Sequence, residues 1–196
     1  MSQRLERARP RFLGLTLLCA LAASGAASGA VAATSVEIHY APQEDLERID
    51  VGVIDDAENS IDMAAYLLSD PSVIEALRDA ADRGVTIRLY LDKSQYSQHG
   101  PRDGGPIGEL LAFPNVFARV KGRGVLMHLK AYAVDRKRLR TGSGNFSHSG
   151  LAFQDNDLIL VDDPGIVARF EANFDAIWSR GTNLSAAAEP EQGGPK

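Results

Sequence analysis

Cysteine is all but missing from this chain. Its one example, Cys19, sits in an N-terminal apolar run. A single thiol excludes an internal disulfide framework, and with it a small stapled extracellular scaffold. The preceding residue, Leu18, is not the small residue that a lipoprotein signal places there. Positive charge is also short: 21 Lys and Arg stand against 26 Asp and Glu, a formal net charge of −5. A nucleic-acid binder with that balance has to gather its positive charge locally. There is no internal repeat, no Arg-Arg pair of the twin-arginine type, and no histidine spacing that suits a metal around His39 or His99. No metal or other cofactor is expected. The 44% hydrophobic and 24% charged content excludes wholesale disorder.

What is present begins with an export pattern. Arg4, Arg7, Arg9 and Arg11 precede an apolar run from Phe12, and Ala30-Val31-Ala32 offers an A-x-A cleavage site. This order reads as a secretory signal peptide over residues 1–32, set apart from the fold. An uncleaved anchor is the alternative, but the apolar core is short for a membrane span of about 20 residues. Cleavage removes four Arg and one Glu, a net three positive charges, and takes the formal charge from −5 to −8. An exported chain without disulfides points to a periplasmic or secreted protein. Residues 33–183 are read as one catalytic domain, and residues 184–196 as a flexible tail.

Within the domain, Val36-Glu37-Ile38-His39-Tyr40 alternates as a strand. Residues 43–59 carry apolar side chains at helical spacing. Strands are predicted over 60–68, 85–91, 116–120, 127–135, 140–142 and 157–161. Asp70-Pro71 opens a helix that Gly84 ends. Residues 92–106 read as a mobile polar loop, 107–112 as a short helix and 166–180 as a closing amphipathic helix. Its Phe170, Phe174 and Trp178 are core residues. Alternating elements followed by clustered strands predict an α/β fold, a mixed β-sheet flanked by helices on both faces.

One stretch carries chemistry. His128-Leu129-Lys130 is followed by Asp135 and then by Gly142-Ser143-Gly144-Asn145. Six fixed positions at these spacings arise by chance at roughly one start in ten million. The pattern matches the H-x-K-x4-D-x6-G-S-x-N motif of the phospholipase D superfamily. From 36 to 180 the chain resembles that superfamily's small one-motif bacterial endonucleases, as in Ala57-Glu58-Asn59-Ser60-Ile61, Ala64-Ala65-Tyr66 and Asp82-Arg83-Gly84-Val85.

The resemblance implies a phospholipase D-like α/β/α sandwich with one motif per chain. It implies that His128 is the nucleophile, forming a covalent phosphohistidine. Lys130, Ser143 and Asn145 then bind the phosphate oxygens, and Gly142 and Gly144 let the backbone approach them. Asp135 belongs to the motif and reads as a supporting residue. Family members carry a Glu after the motif that orients the histidine. Here the local sequence is Gln154-Asp155-Asn156-Asp157, which makes Asp155 the first candidate and Asp157 the second. With one motif per chain, a homodimer is implied, its two His128 residues serving as nucleophile and acid.

The expected activity is metal-independent endonucleolytic cleavage of DNA, and of RNA in some relatives. A phospholipid phosphodiesterase and a non-catalytic nucleic-acid-binding dimer are the alternatives. The lipid reading requires an exposed apolar rim, which the sequence does not display. The basic groups Arg119, Lys121 and Arg123, then Arg136, Lys137, Arg138 and Arg140, flank the motif as a route for a polyanion. A charge run is otherwise a solvated face. His148 reads as a loop residue, and Tyr66 and Tyr96 as core residues or base-stacking platforms.

Overall fold

The computed structural model of the chain describes residues 34–99, 105–122 and 124–185. The expected signal peptide, most of the expected tail and Arg123 lie outside the described residues. The strands form one eight-stranded sheet: β1 (Val36–Ala41), β2 (Ser60–Ala65), β3 (Thr86–Leu91), β4 (Val116–Val120), β5 (Lys130–Val134), β6 (Arg138–Gly142), β7 (Asn156–Val161) and β8 (Leu184–Ser185). Their order is β1-β7-β6-β5-β2-β3-β4-β8. β2, β3 and β4 run parallel, and every other neighbouring pair is antiparallel.

Helices follow where the sequence supplies caps. α1 (Leu46–Asp55) starts at Asp45, whose carboxylate accepts the Arg48 N–H, and α2 (Pro71–Asp82) starts at Asp70, which accepts the Val73 N–H. Gly84 takes φ +93° just past α2, the left-handed turn that ends a helix at little cost for glycine. α3 (Lys93–His99), α4 (Pro106–Leu110), α5 (His148–Ala152) and α6 (Pro164–Trp178) complete the set.

Strand alternation divides the core between two faces. Ile61, Met63, Ile87, Leu89, Tyr132 and Val134 pack with α1, α2 and α4. Ala64, Tyr90, Ala131 and Ala133 face the other way, toward Val167, Phe174 and Ile177 of α6. The small alanines leave room for the aromatic ridge of that helix. The expected mixed sheet with helices on both faces is the architecture found.

Two expectations are corrected. Residues 92–106 do not form one polar loop, because Asp92 seeds α3 by accepting N–H groups from Ser94 and Gln95. Leu184 and Ser185, assigned to the tail, instead pair with Val120 and Arg119 of β4.

A buried acidic pair lies under α6. Glu171 is 8% exposed and Asp62 4%. Asp62 is neutralised by a two-pronged contact from Arg88, whereas Glu171 Oε2 has no hydrogen-bond partner. Burial, reinforced by the neighbouring Asp62, pushes the Glu171 carboxyl up to about 7, against the weaker pull of Arg136 and Arg88. The folded chain therefore keeps a proton that the unfolded chain has lost above its ordinary value of 4.5. Stability falls as pH rises across that window. Glu171→Gln should accordingly melt higher than wild type at pH 8, with the gap closing by pH 5 in parallel thermal scans.

Candidate active site

The motif residues gather at the edge where the parallel strands end, the usual place for ligands in open α/β sheets. β2 ends beside the start of β5, with Ala65 paired to Lys130 and the Tyr66 N–H donating to the Leu129 carbonyl. β6 runs antiparallel to β5, so its last residue, Gly142, returns to the same edge. Topology thus brings His128-x-Lys130 and Gly142-Ser143-Gly144-Asn145 together, as the sequence predicts.

His128 is exposed, and no described residue hydrogen-bonds its ring. The Tyr66 ring packs against the imidazole, with centroids 4.6 Å apart. Lys130 is 6% exposed, donates from Nζ to the His128 carbonyl at 2.9 Å, and lies 4.7 Å from the Tyr66 ring centroid. Burial, with Arg140 as a second cause, holds the Lys130 ammonium below its ordinary value. An under-solvated cation of this kind suits an incoming phosphate. Tyr66 is therefore the wall on which the His-x-Lys pair rests.

The second half of the motif is held by β7. Asp157 accepts the Ser143 N–H at 2.7 Å and donates its own N–H to Ser143 Oγ at 2.9 Å. The hydrogen bond to Ser143 holds the Asp157 carboxyl below its ordinary value. Asn145 presents an amide oxygen, Oδ1, that is buried without a hydrogen-bond partner, the kind of unmet polar atom that functional sites carry. Gly142 has φ +146°, and a Cβ there would collide with the Asp157 carbonyl oxygen. Gly142→Ala is expected to cost at least about 2 kcal/mol and to reduce turnover together with stability, read by urea melts and cleavage assays.

Beneath both halves lies a group that sequence reading misses. Arg140 is fully buried. Its Nε and Nη2 donate to the two Asp50 oxygens, each at 2.8 Å, while Nη1 donates to the carbonyls of Lys130 (3.0 Å) and Gly144 (3.3 Å). Tyr132 Oη also donates to Asp50 at 2.9 Å, and the Phe146 ring covers the guanidinium at 4.5 Å. Burial raises the Asp50 carboxyl, opposed by the Arg140 charge and the Tyr132 hydroxyl. One guanidinium thus ties the strand of His-x-Lys to the loop of Gly-Ser-x-Asn.

Two readings from sequence need correction, and the supporting role expected of Asp135 is a structural one. Asp155 is exposed and makes no hydrogen bond or ion pair with His128. Asp157 is the carboxylate that reaches the motif, but it serves Ser143. Asp135 lies past the far end of β5, where it takes φ +52° and accepts N–H groups from Glu58, Asn59 and Ser60. Burial favours its neutral form, yet the Ser60, Glu58 and Asn59 N–H groups outweigh that and hold the carboxyl low. Asp135 pins the β5–β6 turn to the start of β2 and is remote from His128.

The basic groups fare similarly. Arg140 is internal, Arg138 pairs with Asp162 at 2.7 and 2.9 Å, and Arg119 lies over Trp178. The Arg136-Lys137 turn is at the opposite end of the sheet from His128. At the His128 edge, the cations found among the described residues are Lys130 itself and Lys93 and Lys121, which border one cleft with Ser94, Ser97, Val125 and Leu126. Three apolar side chains also stand out around His128: Val125 (84% exposed), Leu126 (53%) and Leu129 (40%). Single exposed residues on a loop carry no periodic signal, so this rim was invisible in sequence.

Such a fold, carrying His-x-Lys and Gly-Ser-x-Asn at one sheet edge, defines a phospholipase D-type enzyme. The family model described as "Cardiolipin synthase, PLD-like domain" matches residues 51–178, and the chain belongs to that family. A phospholipase D of Rickettsia prowazekii is 29% identical over 153 residues, covering 78% of this chain and 71% of the relative. Nuc from Salmonella typhimurium, a phospholipase D family member, superposes with a TM-score of 0.69 at 22% identity, over 78% of this chain and 99% of Nuc. NucT from Helicobacter pylori gives 0.70 at 19% identity, with the same two coverages. At those identities the two structures speak for the fold.

Proposed function

We propose that the protein is an exported nuclease that hydrolyses phosphodiester bonds without a metal ion, through a covalent intermediate on His128. The observation that carries this reading is an exposed, unengaged imidazole beside a buried ammonium. In the attacking step, a His128 ring nitrogen forms a P–N bond, and the bond from phosphorus to the leaving oxygen breaks. That oxygen takes a proton from a general acid. Water then breaks the P–N bond, releasing the phosphate product and free histidine. Lys130, Ser143 and Asn145 surround the oxygens on which charge accumulates.

Among the described side chains, no other histidine stands ready as that acid. His39 is engaged by Glu44 at 2.7 Å and His148 by Glu47 at 3.3 Å, and neither contacts His128. A second copy bringing its own His128 across a two-fold axis fills the role. The apolar rim of Val125, Leu126 and Leu129 is a surface such a copy would bury. The choice of nucleic acid is supported by the Nuc-like fold and by the cleft that Lys93 and Lys121 border together with Asp92 and Leu126.

The same rim favours a second reading, in which it dips into a membrane surface and the site takes a phospholipid headgroup. Mature protein in excess EDTA should cleave plasmid and single-stranded DNA and release no headgroup from phospholipid vesicles. The reverse pattern would establish the lipid enzyme, and silence on both would overturn the phosphodiesterase reading. Sedimentation at micromolar concentration should give about twice the mature mass, and a fully active monomer would sink the shared site. Secretion and trimming at Ala32 should show as a shortened N-terminus on exported protein.

A further inference from the structure

On the α1 side of the sheet, three side chains outside the motif converge from three helix starts. Glu47 lies in the first turn of α1, Asp70 caps α2, and His148 opens α5. One ligand-type atom from each lies within 4.8 Å of the others, and His148 Nδ1 is 3.3 Å from Glu47 Oε2.

Asp70 supplies the second observation. It is completely buried. One carboxylate oxygen is used, accepting the Val73 N–H at 3.1 Å, but Oδ2 has no hydrogen-bond partner. A buried, unmatched carboxylate oxygen is costly unless something positive meets it. Its near neighbour is a second carboxylate, Glu47, which makes the mismatch worse. Among the described residues, His148 is the basic group that meets Glu47.

We propose that Glu47, Asp70 and His148 form a binding site for one divalent cation of the zinc class, built from none of the motif residues. Two carboxylates and an imidazole suit such an ion. Zinc bonds of about 2.0–2.1 Å to nitrogen and oxygen place adjacent tetrahedral ligands about 3.3 Å apart, the spacing His148 and Glu47 already show. The exposed His148 ring can swing to close the remaining gap, while Asp70 is fixed by its packing. Water completes the fourth position.

The site has a structural output. The N–H groups of Ser69 and Asp70 both donate to the Phe146 carbonyl, at 2.8 and 3.0 Å. His148 is two residues beyond Phe146. A cation here therefore fastens the segment that follows Asn145 to the starts of α1 and α2. This inference does not rest on the identity of the substrate.

The test uses untagged mature protein, stripped with EDTA, dialysed and titrated with zinc chloride by calorimetry and thermal melts. One zinc per chain should bind, and the melting temperature should rise by about 5 °C at a hundredfold excess over Kd. His148→Ala and Glu47→Gln should each weaken binding at least about tenfold. Without zinc, both variants should melt close to the stripped wild type, which shows that they fold. Zinc that leaves the melt unmoved, or that binds both variants as tightly as wild type, would overturn the site. A zinc-insensitive melt that instead drops as pH rises past the carboxylate range would assign a proton shared by Asp70 and Glu47. Neither readout uses substrate, so failure here and failure of the nuclease reading are separately visible.

Discussion

His128→Ala should lower phosphodiester cleavage by about four orders of magnitude or more while leaving the melting temperature within a few degrees of wild type. The two halves of that expectation have different origins. Removing a covalent nucleophile eliminates the reaction path itself, and losses of this order are typical for such residues. The fold should not notice, because the side chain is exposed, forms no ring hydrogen bond and touches chiefly the half-buried Tyr66. Substrate affinity should survive, since Lys130, Ser143 and Asn145 remain. Cleavage time courses, filter binding and thermal scans on one preparation would separate the three quantities. Residual turnover within tenfold of wild type would remove His128 from the nucleophile's role.

Arg140→Leu should have the opposite profile, with stability falling first and activity falling with it. It strands the Asp50 carboxylate in the core, and breaking a buried pair in this way costs about 3–5 kcal/mol. For a domain of this length that corresponds to a melting temperature lower by roughly 10 °C. Replacing both partners, as Asp50→Leu with Arg140→Leu, should recover part of the stability, because no lone charge remains. Turnover should not recover, since the Lys130 and Gly144 carbonyls have still lost their common donor. A double variant as active as wild type would show that Arg140 serves the fold alone.

These two residues also mark what could and could not be read from the chain. His128, Lys130, Ser143 and Asn145 were legible because their spacing is rigidly tied to one strand hairpin, and a short window holds the whole pattern. Asp70-Pro71 and Gly84 were legible for a similar reason, since cap chemistry is local. Arg140 was misread as part of a surface run. Its partner Asp50 is 90 residues away, and nothing local distinguishes a buried guanidinium from a solvated one. Asp155 was preferred over Asp157 on likeness to a family position, whereas strand register decides which carboxylate meets Ser143. The five-residue helix α5 is too short to show periodicity. Tyr66 is placed by the pairing of β2 with β5, a contact that spans half the domain.

The Arg140 clamp has a bearing on how such a protein can change over generations. The two halves of the motif are joined through the interior, by a guanidinium that donates to two main-chain carbonyls and one acid. Val125, Leu126, Lys93 and Lys121 stand on surface segments that this junction does not involve. Drift at the rim can therefore retarget the enzyme, from one polyanion to another or toward a lipid face, without loosening the reacting groups. One ancestral phosphate centre can in this way serve a lineage whose members no longer share a substrate.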